Sequence, residues 1–515
     1  MLRSILHCDM NNFYASVECM LDPALKKYPI AVCGSVEERH GIVLAKNYKA
    51  KAFDVKTGDA VWQAKQKCKD LVVVPPHYEE YIKYSKLARS VYERYTDQVE
   101  PYGMDECWLD ISGTESLFGS PEKVANEIRE TMKFELGLTI SVGVSFNKIF
   151  AKLGSDMKKP DAVTVIPKDT FREKIWGLPA ADLLGVGRAT QRVLDSYCIR
   201  TIGDLANTDP EFLRRRLGKN GVVLWNYANG NDLSLVAKKD FVSPIKSVGH
   251  GITTVADLEK PEQVWPVFLE LTQDIGHKLR VHGLSAEGVA IHIRDNTLNT
   301  RQWQTKIALP TQSPMIIAKT AFQLFEKRYG WNNPIRSVTV QAINLIPQDT
   351  PRQIDMFMDA AKQDKLERME KCVEEIRRRF GKDSIRNGVL CQNLRLPPEK
   401  AEITMPTGMV GQGGLNVIDE KEVTAYVTIP DCFLQGCSED IVIFRADGGN
   451  HFTDYGIYEG MFLFFDRKKR FKKGRLSCYI NTAGDDRPKY RVSDKNIDGY
   501  KHLGRLVLTL RNYEV

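Results

Sequence analysis

Two short apolar segments carry carboxylates at their ends, and no other feature of the sequence limits the possible fold so strongly. Residues 4–9 alternate like a buried strand and end in Asp9. Residues 104–111 carry Asp105 and Glu106 near their start and continue as a second strand. The pattern predicts a sheet that brings acidic side chains to one place.

Helices and strands alternate in an order that predicts an α+β sheet. A helix over 13–20 follows the first strand, and a helix that begins at Pro121 behind the N-cap Ser120 follows the second. A third strand is predicted over 138–145. This order is typical of a split βαβ, ferredoxin-like sheet, with residues 23–77 inserted as a small lobe and the two acidic strands adjacent at the centre.

The rest of the chain divides into further units that differ in composition. We expect helices with tight glycine turns in 168–232, strands alternating with Lys- and Arg-rich helices in 241–347, a loop and a charged helix of about 359–380 in 348–394, a linker with Pro and Gly in 395–416, and β-rich runs in 417–515. The expected fold class is therefore α+β with several domains.

Composition narrows the class of protein. With 43% hydrophobic and 27% charged residues, the 515-residue chain can bury several cores. Its formal charge of +7 favours polyanionic partners. The 11 cysteines include no CxxC pair, and no apolar stretch approaches the roughly 20 residues of a membrane helix. We therefore expect a cytoplasmic protein with no membrane contact, disulfide or structural zinc.

The acidic side chains predict a metal site. Asp9, Asp105 and Glu106 would repel one another at one sheet edge unless cations neutralised them. Hard oxygen ligands suit Mg²⁺, and phosphoryl transfer commonly uses two such ions about 3.5 to 4 Å apart. The constellation predicts nucleotidyl transfer; the alternative is that these are solvated surface acids on strands that do not pair.

Four motifs in order resemble a known family. They are HCDMNNFYASVE (7–18), NYKAKAFDVKTG (47–58), MDECWLDIS (104–112) and SVGVSFNKIFAKLGSDMKKPD (141–161). Together they resemble the Y-family DNA polymerases, especially the DinB or DNA polymerase IV branch, over residues 1 to about 350. The resemblance implies a ferredoxin-like palm (1–22 and 78–167), small fingers (23–77), a helical thumb (168–232) and an α/β little finger (241–347), followed by the β-rich C-terminal domain.

The resemblance also implies roles for individual residues. Asp9, Asp105 and Glu106 would be catalytic metal ligands, with the backbone carbonyl of Met10 completing a site for two Mg²⁺ ions, or Mn²⁺ as a substitute. Tyr14 would be the steric gate, an aromatic ring beneath the incoming sugar that excludes a 2′-hydroxyl. The alternative for Tyr14 is a core tyrosine that packs its helix.

Nucleotide contacts follow from the same resemblance. Tyr48, Lys51 and Lys159 match residues that bind the triphosphate, although the family usually has Arg at the position of Lys51, and an ammonium lacks the bidentate fork of a guanidinium. Asp54 stands where the family has Gly, and Gly103 where it has Ser.

Fidelity is expected to be low. The resemblance places Val32 and Gly58 at positions with small side chains over the nascent base pair, which leaves room for damaged templates. No second acidic cluster resembles a proofreading exonuclease.

Lys148 lies between a strand and a helix, where a structural role and a phosphate role both remain open.

Two segments are expected to grip primer–template DNA. LLGVGRATQRVL resembles a helix-hairpin-helix in which Gly185 and Gly187 let backbone amides approach phosphate, although a GxG is often only a tight turn. The little finger carries four basic side chains that could neutralise duplex phosphates: Arg294, Arg301, Lys306 and Arg336. Any single one of these could instead belong to a solvated face.

A short peptide after the little finger resembles the motif that binds the bacterial sliding clamp. It consists of Gln353, Ile354, Asp355, Met356 and Phe357. The Gln amide would anchor the peptide, while Met and Phe would fill an apolar pocket. The alternative is a plain loop that leads into a helix.

The C-terminal domain resembles LexA/UmuD self-cleaving peptidases over about 100 residues. Lys489 stands near the position of the family's base, but Asn450 stands where the nucleophilic Ser should be, so we expect a non-catalytic docking or regulatory module with an unknown partner. The basic run 467–473 predicts a solvated hairpin tip or an added DNA contact.

These observations favour a monomeric translesion DNA polymerase that uses deoxynucleoside triphosphates. Two alternatives remain at this stage. A non-catalytic DNA-binding scaffold would not need the three carboxylates, and a nucleotide cyclase would not need the hairpin, the basic domain or the clamp-like peptide.

Overall fold

The computed structural model describes residues 3–36, 39, 41–351, 360–381, 384–391, 441–445, 462–466, 468–472, 475–481, 489–493, 495, 497 and 500–510. The chain divides into two compact units, Met1–Ile418 and Asp419–Val515. Among the described residues, no helix has the length and apolar character needed to cross a membrane.

The described strands of the first unit are short in its N-terminal part and long in the little finger. They are β1 (Ile5–Met10), β2 (Ile30–Cys33), β3 (Val43–Lys46), β4 (Val72–Val74), β5 (Val99–Pro101), β6 (Glu106–Asp110), β7 (Ile140–Ser145), β8 (Val163–Ile166), β9 (Ser247–Leu258), β10 (Leu284–Asp295), β11 (Thr300–Thr311) and β12 (Ile335–Pro347).

The α-helices described for this unit range from single turns to 21 residues. They are α1 (Phe13–Leu21), α2 (Tyr48–Lys51), α3 (Val61–Lys67), α4 (Tyr78–Tyr92), α5 (Glu115–Phe118), α6 (Pro121–Leu136), α7 (Lys148–Met157), α8 (Phe171–Ile175), α9 (Arg188–Ser196), α10 (Ile202–Asn207), α11 (Pro210–Leu217), α12 (Lys219–Ala228), α13 (Pro261–Val281), α14 (Pro314–Arg328) and α15 (Ala360–Phe380). Short 3₁₀ helices lie at Pro23–Lys27, Ala180–Asp182 and Gly388–Cys391.

The palm sheet has the strand order β5-β6-β1-β7-β8, so β1 is central. Strand β1 pairs antiparallel with β6, and the two acidic segments are neighbours as the sequence predicts. Leu6, Cys8 and Met10 enter the core shared with α4 and α6. Because successive side chains of a strand point to opposite faces, His7 and Asp9 lie on the other face, towards α7.

A close approach between β7 and α7 sets the position of that helix. A Cβ on Gly143 would lie 1.9 Å from the carbonyl oxygen of Ala151, so only glycine fits there. Helix α7 begins behind Asn147, whose side-chain oxygen accepts a hydrogen bond from the backbone N–H of Phe150. This packing brings the polar side chains of α7 next to the carboxylates.

Helix α6 follows the predicted start signal. Pro121 is its first residue, and the hydroxyl of Ser120 accepts a hydrogen bond from the backbone N–H of Lys123. Gly137, at φ +67°, ends the helix in the left-handed conformation. With α4, this helix covers the palm face opposite to α7.

The fingers contain a three-stranded sheet of order β3-β2-β4 with α2 and α3. Asn47 ties this lobe together, because its side-chain oxygen accepts from the backbone N–H groups of Ile30 and Ala50 and its amide donates to the carbonyl of Tyr28. These bonds fix the start of α2, which carries Tyr48 and Lys51.

The thumb and the little finger differ in secondary structure. Helices α8 to α12 of the thumb surround one apolar core. The little finger is an antiparallel sheet of order β11-β10-β12-β9, with α13 and α14 packed on one face. Helix α15 is fastened to this domain, since Glu374 pairs with His277 and Arg280 and Glu370 accepts a hydrogen bond from Ser313.

The described part of the second unit is an antiparallel sheet, in keeping with its β-rich prediction. Its strands are β13 (Ile441–Arg445), β14 (Phe462–Asp466), β15 (Ser477–Asn481), β16 (Lys489–Ser493) and β17 (Lys501–Leu510), in the order β13-β14-β17-β15-β16. Leu463, Phe465, Leu476 and Cys478 form its core.

Several sequence predictions fall outside the described residues. These are the clamp-like peptide 353–357, the linker 395–416 and Asn450. Lys489 is the first residue of β16. Residues 468–472 of the basic run lie between β14 and β15, with Lys468 and Arg470 exposed.

Candidate active site

Strand pairing brings the three predicted carboxylates together. Asp9 in β1 lies directly opposite Glu106 in β6. Asp105 immediately precedes β6, and its carbonyl oxygen accepts a hydrogen bond from the backbone N–H of Met10 at 2.9 Å. All three side chains line one cleft.

The pKa values of two of these acids move in opposite directions. Burial, together with repulsion from Glu106 and Asp9, raises the pKa of Asp105 to about 7. Burial would also raise the pKa of Glu106, but the contact with His7 and the charge of Lys152 outweigh burial and lower that pKa to about 2. The negative charge at Asp105 is therefore the part of the cluster that the protein compensates least.

Lys152 is a member of the cluster that the sequence analysis missed. Its ammonium lies 2.8 Å from Glu106, 3.3 Å from Asp9 and 3.2 Å from Asp156. Burial opposes its charge, yet these carboxylates raise its pKa. A signal was present, because Lys152 precedes Asp156 by one helical turn within the fourth motif.

His7 supports the cluster from inside the palm. Its ring is fully buried, with Nδ1 2.8 Å from the hydroxyl of Ser155 and Nε2 3.2 Å from Oε2 of Glu106. Burial lowers the pKa of His7. A single histidine within an apolar strand gave no sequence signal for this contact.

Lys148, by contrast, has a structural role. Its ammonium lies 2.6 Å from Oε1 of Glu100 and 4.5 Å from the ring centroid of Trp108. The other oxygen of Glu100 accepts a hydrogen bond from the backbone N–H of Ala237, in the segment after the thumb. This buried pair fastens that segment to the palm, so the phosphate role left open for Lys148 is not supported.

Tyr14 lines the cleft beside the carboxylates. Its ring stacks on Tyr81, with centroids 4.1 Å apart and planes 9° from parallel. The hydroxyl of Tyr81 donates to Glu18, a buried carboxylate that also lies 2.9 Å from Nδ1 of His77. Burial raises the pKa of Tyr14. A stack of rings therefore holds Tyr14 in one orientation.

The cleft has a volume of about 680 Å³ and lies between the palm and the fingers. Its lining residues are Asp9, Met10, Asn12, Phe13, Tyr14, Leu44, Ala45, Lys46, Thr57, Tyr102, Gly103, Met104, Asp105, Glu106 and Lys159. Val32 is fully buried and packs with Ala15 and Cys19 instead. The expectation for Val32 is therefore corrected: Leu44, from the adjacent strand, is the larger side chain that lines the cleft.

Of the residues expected to bind triphosphate, Lys159 lines the cleft, whereas Tyr48 and Lys51 lie in α2 and are not among the lining residues. The ammonium of Lys159 is 2.7 Å from Asp9 and 2.9 Å from Asp156. Lys51 lies over the ring of Tyr48, 5.6 Å from its centroid. Burial raises the pKa of Tyr48, and the nearby charge of Lys159 opposes that shift.

The departures from the family pattern have local explanations. Asp54 adopts φ +58°, a left-handed conformation that Asp tolerates, and its carboxylate lies 3.3 Å from the ammonium of Lys56. Gly103 adopts φ +86° just before the acidic pair, where glycine carries no steric cost.

The expected DNA contacts have different environments. Gly185 adopts φ +94°, and Gly187 is the N-cap of α9 with open space where a Cβ would lie. Exposed Arg294 and Lys306 lie on the sheet face opposite to α13 and α14.

The two other predicted cations of the little finger have different surroundings. Arg301 lies beside Asp295 and Tyr329, at the edge of the helical face. Burial, together with the charge of Arg39, lowers the pKa of Arg336. The basic residues therefore do not form one continuous surface.

The donor set of the cleft fits a divalent cation. Three carboxylates supply hard oxygens, and burial with repulsion from Glu106 and Asp9 disfavours a bare negative charge at Asp105. Within the described part of the chain, no three His, Cys, Asp or Glu side chains are already arranged around one point. Lys152 and Lys159 lie between the carboxylates instead.

Comparisons with known proteins agree with this geometry. Residues 8–156 match the model of the impB/mucB/samB family, and residues 245–356 match that of the impB/mucB/samB family C-terminal domain. The chain is 52% identical over 396 residues to DNA polymerase IV of Acetivibrio thermocellus. The aligned residues cover 77% of this chain and 99% of the relative. It is 37% identical over 390 residues to DNA polymerase IV 1 of Bacillus subtilis, with 75% and 92% covered.

A solved structure is similar in fold. A Y-family DNA polymerase chimera of Dbh and Dpo4 has a TM-score of 0.60 at 22% identity and covers 67% of this chain and 99% of that one. Both segments matched by the family models precede the second unit.

Proposed function

The chain belongs to the impB/mucB/samB family, that of the Y-family DNA polymerases, and from this premise we propose that it extends a primer by two-metal nucleotidyl transfer with low fidelity. It is a DNA-directed DNA polymerase of the translesion type. Its substrates are primer–template DNA and deoxynucleoside triphosphates. The observation that carries the proposal is the pairing of β1 with β6, which sets Asp9 opposite Glu106 beside Asp105.

The carboxylates are the proposed ligands of the ions. Asp9, Asp105, Glu106 and the carbonyl of Met10 would hold two Mg²⁺ ions, with Mn²⁺ as a substitute. When bound, such ions activate the attacking oxygen and neutralise the charge on the triphosphate and the leaving group. His7 and Lys152 orient Glu106 from behind the cleft.

Cations of the palm and of the fingers support nucleotide binding. Lys159 lies on the palm side, and Lys51 and Tyr48 lie at the start of the first fingers helix. Ammonium groups and a phenol hydroxyl stabilise the negative charge that develops on phosphate oxygens during transfer.

Tyr14 is the proposed steric gate. Its stack on Tyr81, with Glu18 behind, leaves the ring little freedom to move away from a 2′-hydroxyl. Tyr14→Ala is expected to increase ribonucleotide incorporation in the extension assay described below.

An open cleft and the fingers support low fidelity without proofreading. Among the described residues, the fingers sheet has three short strands, and Gly58 adds no side chain next to the cleft residue Thr57. A small lobe applies less steric selection to the base pair.

DNA binding and partners extend the proposal. The proposed contacts with duplex phosphates do not read sequence. They come from Gly185 and Gly187 in the thumb and from Arg294, Arg301, Lys306 and Arg336 in the little finger.

The peptide 353–357 would bind a sliding clamp, so replacing Gln353, Met356 and Phe357 by Ala is expected to remove clamp stimulation and preserve basal synthesis. The second unit would serve as a docking or regulatory module of a monomeric enzyme.

Primer extension tests the proposed function. Intact protein with Mg²⁺ is expected to extend a primer on undamaged and abasic templates, while Asp105→Asn/Glu106→Gln binds the same DNA and extends neither by more than about 0.1% of the intact rate. Folded, DNA-bound intact protein that extends neither template would favour a non-catalytic scaffold.

A further inference from the structure

The fingers wall of the cleft carries a lysine to which neither the motifs nor the proposed mechanism assigns a role. Lys46 is the last residue of β3 and lines the cleft beside Leu44 and Ala45. It immediately precedes Asn47, whose hydrogen bonds fix the start of α2. The backbone that carries Lys46 is therefore held in place, and only its side chain can adjust to a ligand.

Among the described residues, the ammonium of Lys46 has one hydrogen-bond partner. It donates a hydrogen bond to the hydroxyl of Thr57 at 3.1 Å. Two acids of the fingers have other partners, since Asp54 pairs with Lys56 and Asp59 pairs with Lys67. In the part of the chain that the structure describes, no carboxylate lies within 4 Å of the Lys46 ammonium.

The charge of Lys46 is unfavourable in the free protein. Burial and the positive charge of Lys51 both lower its pKa, with Asp59 opposing them. Two neighbouring ammonium groups that repel each other, one of them partly desolvated, are stabilised when a polyanion binds between them. Such uncompensated charge inside a cleft is more consistent with a binding role than with a solvated surface.

The composition of the cleft identifies the polyanion. The palm wall supplies Asp9, Asp105 and Glu106, which repel a bare anion, whereas the fingers wall supplies Lys46. A ligand that carries several phosphates and metal ions satisfies both walls at once.

We propose that Lys46 is a phosphate-binding residue for the incoming nucleotide and that it acts as a pair with Lys51. A single ammonium lacks the bidentate grip of a guanidinium on phosphate oxygens. Two ammonium groups, Lys46 from β3 and Lys51 from α2, therefore share the binding of the phosphates. This inference rests on the proposed function, because it names a further residue of the same nucleotide site.

Nucleotide binding to a stalled complex tests the pair without chemistry. Full-length protein is bound to a primer–template whose primer ends in a dideoxynucleotide, and Kd is measured for the complementary deoxynucleoside tri- and monophosphates. Lys46→Met is expected to weaken triphosphate binding roughly 10-fold, as for one lost charge-assisted hydrogen bond, and to leave monophosphate binding within about 2-fold. Lys46→Arg should restore most of the triphosphate affinity.

Steady-state extension separates a binding role from a structural one. Lys46→Met is expected to raise KM for each of the four nucleotides by a similar factor of roughly 10, with kcat changed by less than about 3-fold. Lys56→Met is the matched control, because Lys56 is an exposed fingers lysine that pairs with Asp54 outside the cleft lining. Its KM should equal that of the intact protein.

Three outcomes would contradict the proposal that Lys46 and Lys51 bind phosphate as a pair. An unchanged triphosphate Kd in folded, DNA-bound Lys46→Met would do so, as would an equal loss for the monophosphate or a KM effect confined to one base. If Lys46→Met does not fold, Lys46→Gln and Lys46→Arg are compared by the same Kd ratio. Failure of the intact protein to extend a primer would instead overturn the proposed function itself.

Discussion

The palm sheet and the little-finger sheet both pack against helices, but they differ in how many of their faces the helices cover. The palm sheet has helices on both faces, α4 and α6 on one side and α7 on the other, so its polar side chains are buried together. Among the described residues, the little-finger sheet is covered by helices on one face, and its other face carries exposed side chains such as Arg294 and Lys306. Because α7 covers the second face of the palm sheet, the charged side chains on that face lie close enough to interact with one another.

The difference has energetic consequences. In the palm, Asp9, Glu106 and Lys152 interact at short distance with little solvent screening, so the loss of one partner leaves an uncompensated charge. In the little finger, Arg294 and Lys306 are exposed, where water and salt screen their interactions. Substitutions in the two sheets should therefore differ in magnitude and in response to ions.

The largest effect is expected for Lys152→Met. Its loss leaves Glu106 without its nearest cation and Asp9 with Lys159 alone, so the free energy of unfolding without metal should fall by about 3 kcal/mol. Added Mg²⁺ should stabilise this variant more than it stabilises the intact protein, because the carboxylates then have one internal competitor fewer. Urea unfolding with and without Mg²⁺ measures both effects, and an equal Mg²⁺ response in the two proteins would contradict the interpretation.

A smaller effect without metal dependence is expected for Lys148→Met. It removes the partner of Glu100 far from the acidic cluster, which should cost about 2 to 3 kcal/mol of unfolding free energy. Lys148→Met/Glu100→Gln should recover at least half of that loss, since the amide oxygen can still accept from Ala237. Urea unfolding of both variants measures these losses. If Mg²⁺ stabilised Lys148→Met more than it stabilises the intact protein, the proposed difference between Lys148 and Lys152 would be wrong.

The smallest effect on stability is expected for the double variant Arg294→Ala/Lys306→Ala. Both side chains are exposed, so the free energy of unfolding should change by less than about 0.5 kcal/mol. DNA affinity should nevertheless fall several-fold, and the slope of log K against log salt should decrease by about one per lost phosphate contact. Binding measured at several salt concentrations tests this, and an unchanged slope would remove these residues from the DNA surface.

Local patterns were sufficient to predict much of the fold and the acidic part of the site. Alternating apolar residues indicated β1 and β6, and the Ser120–Pro121 signal marked the start of α6. These predictions succeeded because strand alternation and helix capping depend on residues that are close in the sequence.

Other features depend on which elements meet in space. Lys148 and Lys152 are one turn apart on α7 and look equivalent in the sequence, yet one pairs with Glu100 and the other with Glu106. The close packing of α7 on Gly143 decides which lysine reaches the cleft.

The sequence by itself determined the family, the pairing of the two acidic strands and the three carboxylates that they bring together, because these follow from motifs and local periodicity. Only the tertiary structure decided which cations compensate the carboxylates, that Leu44 and not Val32 lines the cleft, and that Lys46 lies in it without a carboxylate partner among the described residues. The physical reason is that electrostatic compensation and burial depend on distances between elements remote in sequence, which no local pattern specifies.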